Sequence, residues 1–211
     1  MKKIILILFF ASVCVQTQVE TRTLNNGNLI LEDVPNVPEE IKKELKGYQN
    51  IRSASFRGFK PDNEGVFIST RFGDVGQLHV VDRPLGMRKQ VTFFDEPIGS
   101  VSVQPNGGLI AFTMDSGGSE NAQIYVMNPE NGRTVLVSDG ESRNGSVLWS
   151  RDGEKIAFGT TRRNGASNDV WVMDYKYPEQ AKMVFASPDG TSWTPSDLSL
   201  IHISEPTRRI T

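Results

Sequence analysis

Apolar and polar positions follow one another in a pattern that recurs three times along the chain. Each unit has an apolar residue, a turn of the Pro-Asp/Asn-Gly kind, an apolar strand, a polar loop containing Gly or Asn, and a second strand that ends in Asp or Asn. The units are FKPDNEGVFISTRFGDVGQLHVVD (Phe59–Asp82), VQPNGGLIAFTMDSGGSENAQIYVMN (Val103–Asn128) and WSRDGEKIAFGTTRRNGASNDVWVMD (Trp149–Asp174). Short apolar runs bounded by turn residues predict β-strands joined by tight turns.

The spacing of these units predicts the architecture. Their first residues lie 44 and 46 residues apart, and periods of about 40 to 50 residues with four short strands each are typical of β-propeller blades. Strands of the third unit are predicted at 146–150, 155–161, 169–174 and 181–187, and both faces of the DVWVMD strand are apolar, as in a blade packed between neighbours. We therefore predict an all-β fold, a partial β-propeller of about three four-stranded antiparallel blades in an open arc.

The predicted propeller segment covers residues 52–197. Its blades are expected at about 52–95, 98–140 and 145–190, and SWTPSDLS (Ser192–Ser199) resembles the lead-in to a fourth. Ahead of it, residues 15–51 are predicted to hold one strand at Asn26–Pro35 and a short helix at Pro38–Asn50. Pro38 favours a helix start, Glu39 and Glu40 suit the positive end of the helix dipole, and Gly47 is expected to end the helix.

The first residues read as an export signal. Two lysines precede an apolar run from Ile4 to Val15, and polar residues follow, which is the pattern of a secretory signal peptide over residues 1–14. The run is too short for a typical membrane span. Cleavage after Cys14 and lipid anchoring of Cys14 are the two alternatives. Either way we expect an exported chain, periplasmic or secreted, and with Cys14 as its single cysteine it forms no internal disulfide.

Composition and charge narrow the classes of function. A hydrophobic share of 37% and 19 glycines with 11 prolines suit a globular chain rich in tight turns. The formal net charge is −2, whereas a nucleic-acid-binding protein would carry a basic surplus or stripe. We therefore expect no nucleic-acid partner.

The third unit resembles a repeat of known propellers. Its sequence, WSRDGEKIAF followed by DVWVMD, is similar to the Trp-Ser-Pro-Asp-Gly repeat of propellers in Tol-system periplasmic proteins and in the prolyl oligopeptidase family of serine peptidases. Arg151 departs from the usual proline of that repeat, and Val103 and Gln104 replace Trp-Ser in the second unit. Between about Gly27 and Asp197, five ordered stretches look like exported members of the peptidase family: YQNIRSASFRGFKPD, TRFGDVGQLHVVD, QVTFFDEPI, SRNGSVLWSRDG and TTRRNGASNDVWVMD.

This resemblance implies a propeller that limits the access of peptide substrates to an α/β-hydrolase domain with a Ser-Asp-His triad. The alternative that it leaves open is a Tol-type propeller that binds a protein partner without catalysis. A hydrolase of this family needs a G-x-S-x-G elbow followed by an Asp and a His. Four G-x-S triplets lack the final Gly, at Ser119, Ser142, Ser167 and Ser192, and all four fall in predicted blade loops. We therefore assign no catalytic residue and expect the 211-residue chain to be inactive alone.

Other candidate site residues are few. Arg71 and the pair Arg162 and Arg163 lie in matching predicted loops and are substrate-facing candidates, because guanidinium groups bind carboxylates bidentately. The alternative is solvated loop charge. His79 lies on a predicted strand without a His, Cys or acidic cluster nearby, so we predict a packed strand residue and no metal site. No motif indicates a cofactor.

The last residues differ from the repeats. LSLIHISEPTR (Leu198–Arg208) resembles the in-frame translation of a transposase-type sequencing adapter, and it stands where the turn and strand of a fourth blade are expected. We therefore interpret 198–211 as a non-native tail on a truncated chain. We expect this tail, from Leu198 onward, to make no specific packing.

Overall fold

The computed structural model describes residues 19–188 and 190–198. The predicted signal peptide with Cys14, and the predicted tail after Leu198, lie outside the described residues.

The chain begins with a two-stranded hairpin where a single strand was expected. Strand β1 (Thr21–Leu24) pairs antiparallel with β2 (Leu29–Glu32) through a 3₁₀ turn at Asn25–Gly27. The prediction missed β1 because its sequence, TRTL, lacks an apolar run. The Nδ2 of Asn28 donates to the carbonyl oxygen of Gly117 at 3.0 Å, so the hairpin is attached to a loop of the second blade.

Helix α1 (Glu39–Gln49) follows the hairpin, with Pro38 at its N-cap and two acidic residues in its first turn, as predicted. Gly47 lies inside the helix and does not end it. The backbone N–H of Asn50 still bonds to the carbonyl oxygen of Lys46, because glycine lowers helix stability without preventing the helical conformation.

The all-β, partial-propeller prediction is confirmed. Three four-stranded antiparallel sheets follow one another along the chain as an open arc, and each sheet is ordered as its strands occur in sequence. Blade 1 contains β3 (Ala54–Phe59), β4 (Val66–Thr70), β5 (Gln77–Val81) and β6 (Lys89–Gln90). Blade 2 contains β7 (Ile98–Val103), β8 (Ile110–Met114), β9 (Gln123–Met127) and β10 (Thr134–Leu136). Blade 3 contains β11 (Asn144–Trp149), β12 (Lys155–Thr160), β13 (Asp169–Asp174) and β14 (Tyr177–Phe185).

The Pro-Asp-type turns close the first hairpin of each blade. The carboxylate of Asp62 accepts a hydrogen bond from the backbone N–H of Glu64 in blade 1, and Asp152 does the same for Glu154 in blade 3. An aspartate that bonds to the backbone two residues on stabilises a turn locally. This is why the repeat could be recognised from short sequence motifs.

The hydrophobic core lies between the blades. We call the face of a blade that is turned toward the preceding blade its N-side face. Phe67 and Leu78 of blade 1 pack against the N-side face of blade 2. Ala111, Ile124 and Val126 of blade 2 pack against the N-side face of blade 3. The buried N-side residues they meet are Ile98, Ile110, Phe112 and Met127 in blade 2, and Val147, Trp149, Ile156, Phe158 and Met173 in blade 3.

Polar contacts fix the same interfaces. The indole N–H of Trp149 donates to the carbonyl oxygen of Ser102 at 3.0 Å, and the side-chain amide of Gln104 donates to the carbonyl oxygen of Gly153 at 2.6 Å. Both bonds join blade 2 to blade 3 near their first strands. The repeat anchor therefore contributes apolar burial and a hydrogen bond through one side chain.

Residues 190–198 begin in the way that a further blade would begin. One backbone hydrogen bond is repeated at the start of successive segments: Ile98 N–H to Gly76 O, Asn144 N–H to Ala122 O, and Trp193 N–H to Asn168 O. The ring of Trp193 packs on Phe185 with centroids 4.7 Å apart. Val103 and Trp149 each lie five residues after the donor of this bond, and Leu198 lies five residues after Trp193. Leu198 therefore takes the anchor position, and its side chain is only 4% exposed.

The expectation for the start of the tail was therefore wrong at Leu198. The backbone register places this leucine at the anchor position of the repeat, where burial of an apolar side chain is favourable whatever its origin.

Candidate functional site

Loops that join the second and third strands of the blades gather at one end of the arc, which we call the loop end. The connections between blades run to the same end, as shown by the backbone N–H of Gly117, which donates to the carboxylate of Glu96 at 2.7 Å. The segments that form the loop end are 71–76, 91–97, 115–122, 137–143 and 161–168. All three candidate arginines lie here.

A buried polar residue at the start of the third strand organises this end in each blade. In blade 1 the amide of Gln77 donates to the carbonyl oxygens of Phe94 and Glu96, and its oxygen accepts from the hydroxyl of Thr92 at 2.8 Å. In blade 2 the amide of Gln123 bonds to the next connection in the same manner, and the hydroxyl of Ser138 donates to its oxygen. A single side chain thus supplies donors and an acceptor to the loops around it.

Blade 3 has Asp169 at this position, and Arg163 supplies the donors that aspartate lacks. The carboxylate of Asp169 is fully buried and accepts from the guanidinium of Arg163 at 2.7 and 3.0 Å. The backbone N–H of Ser187 also donates to it at 2.7 Å, and Arg163 donates to the carbonyl oxygen of Ser187. The hydrogen bonds from Arg163 hold the pKa of Asp169 below its usual value, against the opposing effect of burial.

The three candidate arginines are therefore differently engaged. The guanidinium fork of Arg163 is occupied by Asp169. Arg162 lies over the ring of Trp171 at 5.0 Å and its Nε is 3.5 Å from the carboxylate of Asp139. Arg71 is half-buried in the matching loop of blade 1, with the loop of blade 2 between it and the other two. The structure does not bring the three side chains together.

The serines of the G-x-S triplets lie in loops, as the sequence predicts. Ser119 and Ser142 each donate a hydroxyl hydrogen bond to a neighbouring aspartate, Asp115 and Asp139. Ser167 accepts from Asn164, and Ser192 forms a bridge with Asn168. Three of the four therefore have a contact within their own loop, and Ser192 contacts the end of the 161–168 loop.

His79 is a packed residue of strand β5. Its ring is fully buried, lies 5.1 Å from that of Phe72, and its Nδ1 is 3.1 Å from the carbonyl oxygen of Gln77. Its Nε2 has no hydrogen-bond partner in the part of the chain that the structure describes. Burial lowers the pKa of His79, and the nearby charge of Arg88 acts in the same direction.

A second polar feature, absent from the sequence analysis, lies between the first strands of blades 1 and 2. A cleft of about 440 Å³ is lined by the end of β3 with its turn and by residues 101–105 at the end of β7. Arg57 lines it and makes no ion pair or hydrogen bond with the described residues, while its buried Nε has no acceptor. The sequence contains one signal for the unusual residue at this position. Two residues before the anchor, blades 2 and 3 have Val101 and Val147 where blade 1 has Arg57.

Within residues 19–188 and 190–198, no group of three or more His, Cys, Asp or Glu side chains is placed to hold a metal ion. No helix in the same part of the chain has the length and hydropathy that a bilayer crossing requires.

Comparison with known proteins supports the fold. The sequence matches no protein-family model and no curated protein. Solved structures do resemble it. A TolB-type protein from Agrobacterium tumefaciens aligns with a TM-score of 0.52 and 14% identity over 78% of this chain and 60% of its own.

Two peptidase structures are similar to the same extent. A structure from an analysis of two prolyl endopeptidases aligns with a TM-score of 0.53 and 13% identity, over 82% of this chain and 32% of its own. Dipeptidyl peptidase 4 from Porphyromonas gingivalis aligns with a TM-score of 0.52 and 14% identity, over 68% of this chain and 22% of its own. The chain spans about three fifths of the TolB-type protein and a third or less of the peptidases. At these identities the likeness establishes the β-propeller fold and nothing finer.

Proposed function

We propose that this chain is the propeller part of an exported serine peptidase of the prolyl oligopeptidase type, in which the blades limit the access of peptides to an α/β-hydrolase domain. The observation that carries this proposal is the ordered set of five sequence stretches, and it is supported by the alignment of a structure from an analysis of two prolyl endopeptidases with 82% of this chain. The propeller fold is compatible with the role, since a rigid stack of blades can act as a size filter.

Catalysis in this proposal belongs to a domain outside the described residues. Hydrolysis needs a nucleophilic serine, a histidine base and an orienting aspartate, together with donors for the oxyanion. Ser119 and Ser142 donate their hydroxyl groups to aspartates of their own loops, and His79 is buried against Phe72. The contribution of this chain is therefore binding and exclusion, and the chain by itself should not hydrolyse peptides.

A propeller that binds a protein partner without catalysis is the second candidate. It is favoured by the likeness to the TolB-type protein, of which this chain spans a larger share than of the peptidases.

The test is to recover the intact gene and assay its full-length product on prolyl chromogenic peptides. We expect hydrolysis, covalent labelling by a serine-reactive phosphonate, and an encoded G-x-S-x-G elbow followed by an Asp and a His. The 211-residue chain is the matched negative control. A full-length product without elbow, labelling or hydrolysis would replace the peptidase proposal with the partner-binding propeller.

A further inference from the structure

Arg57 is placed by an irregularity of β3, the first strand of blade 1. In the β3–β4 pairing, Phe56 lies opposite Ile68 and Gly58 opposite Phe67, so Arg57 is the extra residue of a β-bulge. A bulge bends its strand and redirects one side chain, and bulges are enriched beside functional sites. The position of Arg57 is therefore a property of the backbone and does not depend on a neighbouring charge.

The cleft that Arg57 lines is bordered by two strands, β3 and β7, that approach each other closely. A Cβ on Gly58 would lie 2.9 Å from a methyl carbon of Val103, so only glycine permits this spacing of β3 and β7. The volume of about 440 Å³ falls within the usual range of small-ligand sites. The lining residues are 57–61, 63 and 101–105, and none of them is acidic.

The charge of the cleft is positive and unbalanced at Arg57. Lys60, the other cation of the lining, is paired with Asp62 at 3.0 Å and lies 3.8 Å from Asp82. Arg57 has neither kind of partner among the described residues, and its buried Nε–H lacks an acceptor. The two terminal nitrogens of the guanidinium make no hydrogen bond or ion pair with the described residues, so an incoming anion would gain a charge-assisted hydrogen bond to them without displacing a protein acceptor.

We propose that this cleft binds a carboxylate, with the guanidinium of Arg57 as its anchor. A planar guanidinium matches a carboxylate bidentately. A phosphate dianion would favour a second free cation, and Lys60 is already paired. The carboxylate is supplied by the C-terminus of a peptide or by an aspartate or glutamate side chain. This inference is independent of the proposed peptidase function, since it concerns binding to the 211-residue chain alone.

The test uses the indole N–H resonance of Trp149 as a reporter in ¹H–¹⁵N NMR, because this group donates to Ser102, which lines the cleft. Three N-acetylated tripeptides serve as probes: trialanine with a free carboxylate, trialanine amide, and Ala-Asp-Ala amide. We expect a saturable shift with the first, none with the second, and a shift with the third only if side-chain carboxylates also enter. Either result for the third supports the proposal and identifies the source.

The variants are Arg57→Gln, which removes the charge, and Arg57→Lys, which keeps the charge without the fork. Arg133→Gln is the matched control, since Arg133 is exposed in the turn between β9 and β10. We expect binding of the free acid to weaken about tenfold or more in Arg57→Gln, less in Arg57→Lys, and not at all in the control.

Equal binding by Arg57→Gln, equal binding of the trialanine amide, or no saturable shift with the wild-type chain would overturn the proposal. If Arg57→Gln does not fold, the test is the affinity of Arg57→Lys for the free acid, provided that its melting temperature matches that of the wild-type chain. An affinity lower by about threefold or more then supports the fork, and an unchanged affinity overturns it.

Discussion

The residue at the start of each third strand supplies hydrogen bonds to the surrounding loops, and the three blades achieve this in two chemical ways. Gln77 and Gln123 provide donors and an acceptor in one amide, whereas blade 3 divides the same work between Asp169 and Arg163. Arg163 is therefore a structural residue in this geometry, although the sequence alone makes it a candidate for binding a carboxylate. Its carboxylate partner is six residues away in its own blade.

Replacing Arg163 by glutamine should destabilise the chain by about 2 kcal/mol. Loss of one partner from a buried ion pair typically costs about 3–5 kcal/mol, and the figure is reduced here because the Arg163 side chain is 36% exposed. Arg162→Gln is the control, with an expected loss of about 0.5 kcal/mol. Chemical denaturation at pH 7 measures both, and equal losses in the two variants would contradict the assignment.

The same variant should change the acid limb of stability. Because the folded-state pKa of Asp169 lies below its ordinary value near 3.8, its ionisation stabilises the fold above that pH, and this contribution is lost as the pH falls through the lowered pKa. Without Arg163, burial raises the pKa of Asp169. Acid unfolding of Arg163→Gln should therefore begin at a higher pH than in the wild-type chain, as followed by far-ultraviolet circular dichroism.

Replacing Gln123 by methionine tests the repeated amide contact directly. Methionine has a similar volume but removes the acceptor of the Ser138 hydroxyl and the donor to the carbonyl oxygen of Asn121. We expect a loss of about 2–4 kcal/mol, since buried polar groups left unpaired each cost about 1–3 kcal/mol. Gln180→Met, on the exposed side of β14, should change stability by less than about 0.5 kcal/mol. A similar small change in both variants would refute the role of Gln123.

At the scale of elements, equivalent positions of the third strands carry different aromatic side chains. Counting from the first residue of each third strand, His79 of β5 corresponds to Tyr125 of β9 and Trp171 of β13. Tyr125 packs between blades, with its ring stacked 5.6 Å from Phe112. His79 occupies the N-side face of blade 1 and contacts Phe72. One strand position thus accepts three ring types, and only one of them titrates near neutral pH.

His79 should make blade 1 sensitive to mild acid. Its folded-state pKa lies below its ordinary value of 6.5, so the unfolded chain takes up a proton first and stability falls as the pH decreases below about 6.5. Carboxylates whose pKa is lowered, such as Asp169, lose their contribution only at lower pH. We expect His79→Tyr, which copies blade 2, to reduce the loss of unfolding free energy between pH 7.5 and pH 5. Chemical denaturation at pH 7.5 and pH 5 measures this change in the free energy of unfolding. If the change is the same in His79→Tyr as in the wild-type chain, His79 is not the cause of the acid sensitivity.

At the scale of the whole molecule, blade 1 differs from the others in what covers its N-side face. Blades 2 and 3 bury this face against the preceding blade, and among the described residues no blade precedes blade 1. Phe56 and Phe59 are 59% and 62% exposed there, with their rings 5.1 Å apart. Exposed apolar surface of this extent favours association.

Phe59→Ser should therefore reduce concentration-dependent self-association of the 211-residue chain. Met87→Ser is the control, because Met87 is similarly exposed but lies in the turn between β5 and β6. Sedimentation velocity at several concentrations measures the effect. We expect a smaller weight-average mass for Phe59→Ser than for wild type, and no change for Met87→Ser. If both variants associate as the wild type does, the N-side face is not the contact.

The blades could be predicted from the sequence because their causes are local. A turn aspartate bonds two residues away, and the alternation of apolar residues has the period of the strand itself. The elements that the sequence analysis missed or misplaced lack such signals. Strand β1 has no apolar run, and Gly47 remains helical because the hydrogen bonds around it persist.

The candidate site depends on contacts that no local pattern contains. The sequence by itself determined three repeated blades with polar loops, and it identified Arg71, Arg162 and Arg163 in those loops. Only the tertiary structure decided that Arg163 is bound by Asp169, whereas Arg57 lines a cleft and has no partner among the described residues. The reason is physical. The availability of an arginine for a ligand depends on which charges and backbone groups surround it, and packing between strands and between blades sets those distances.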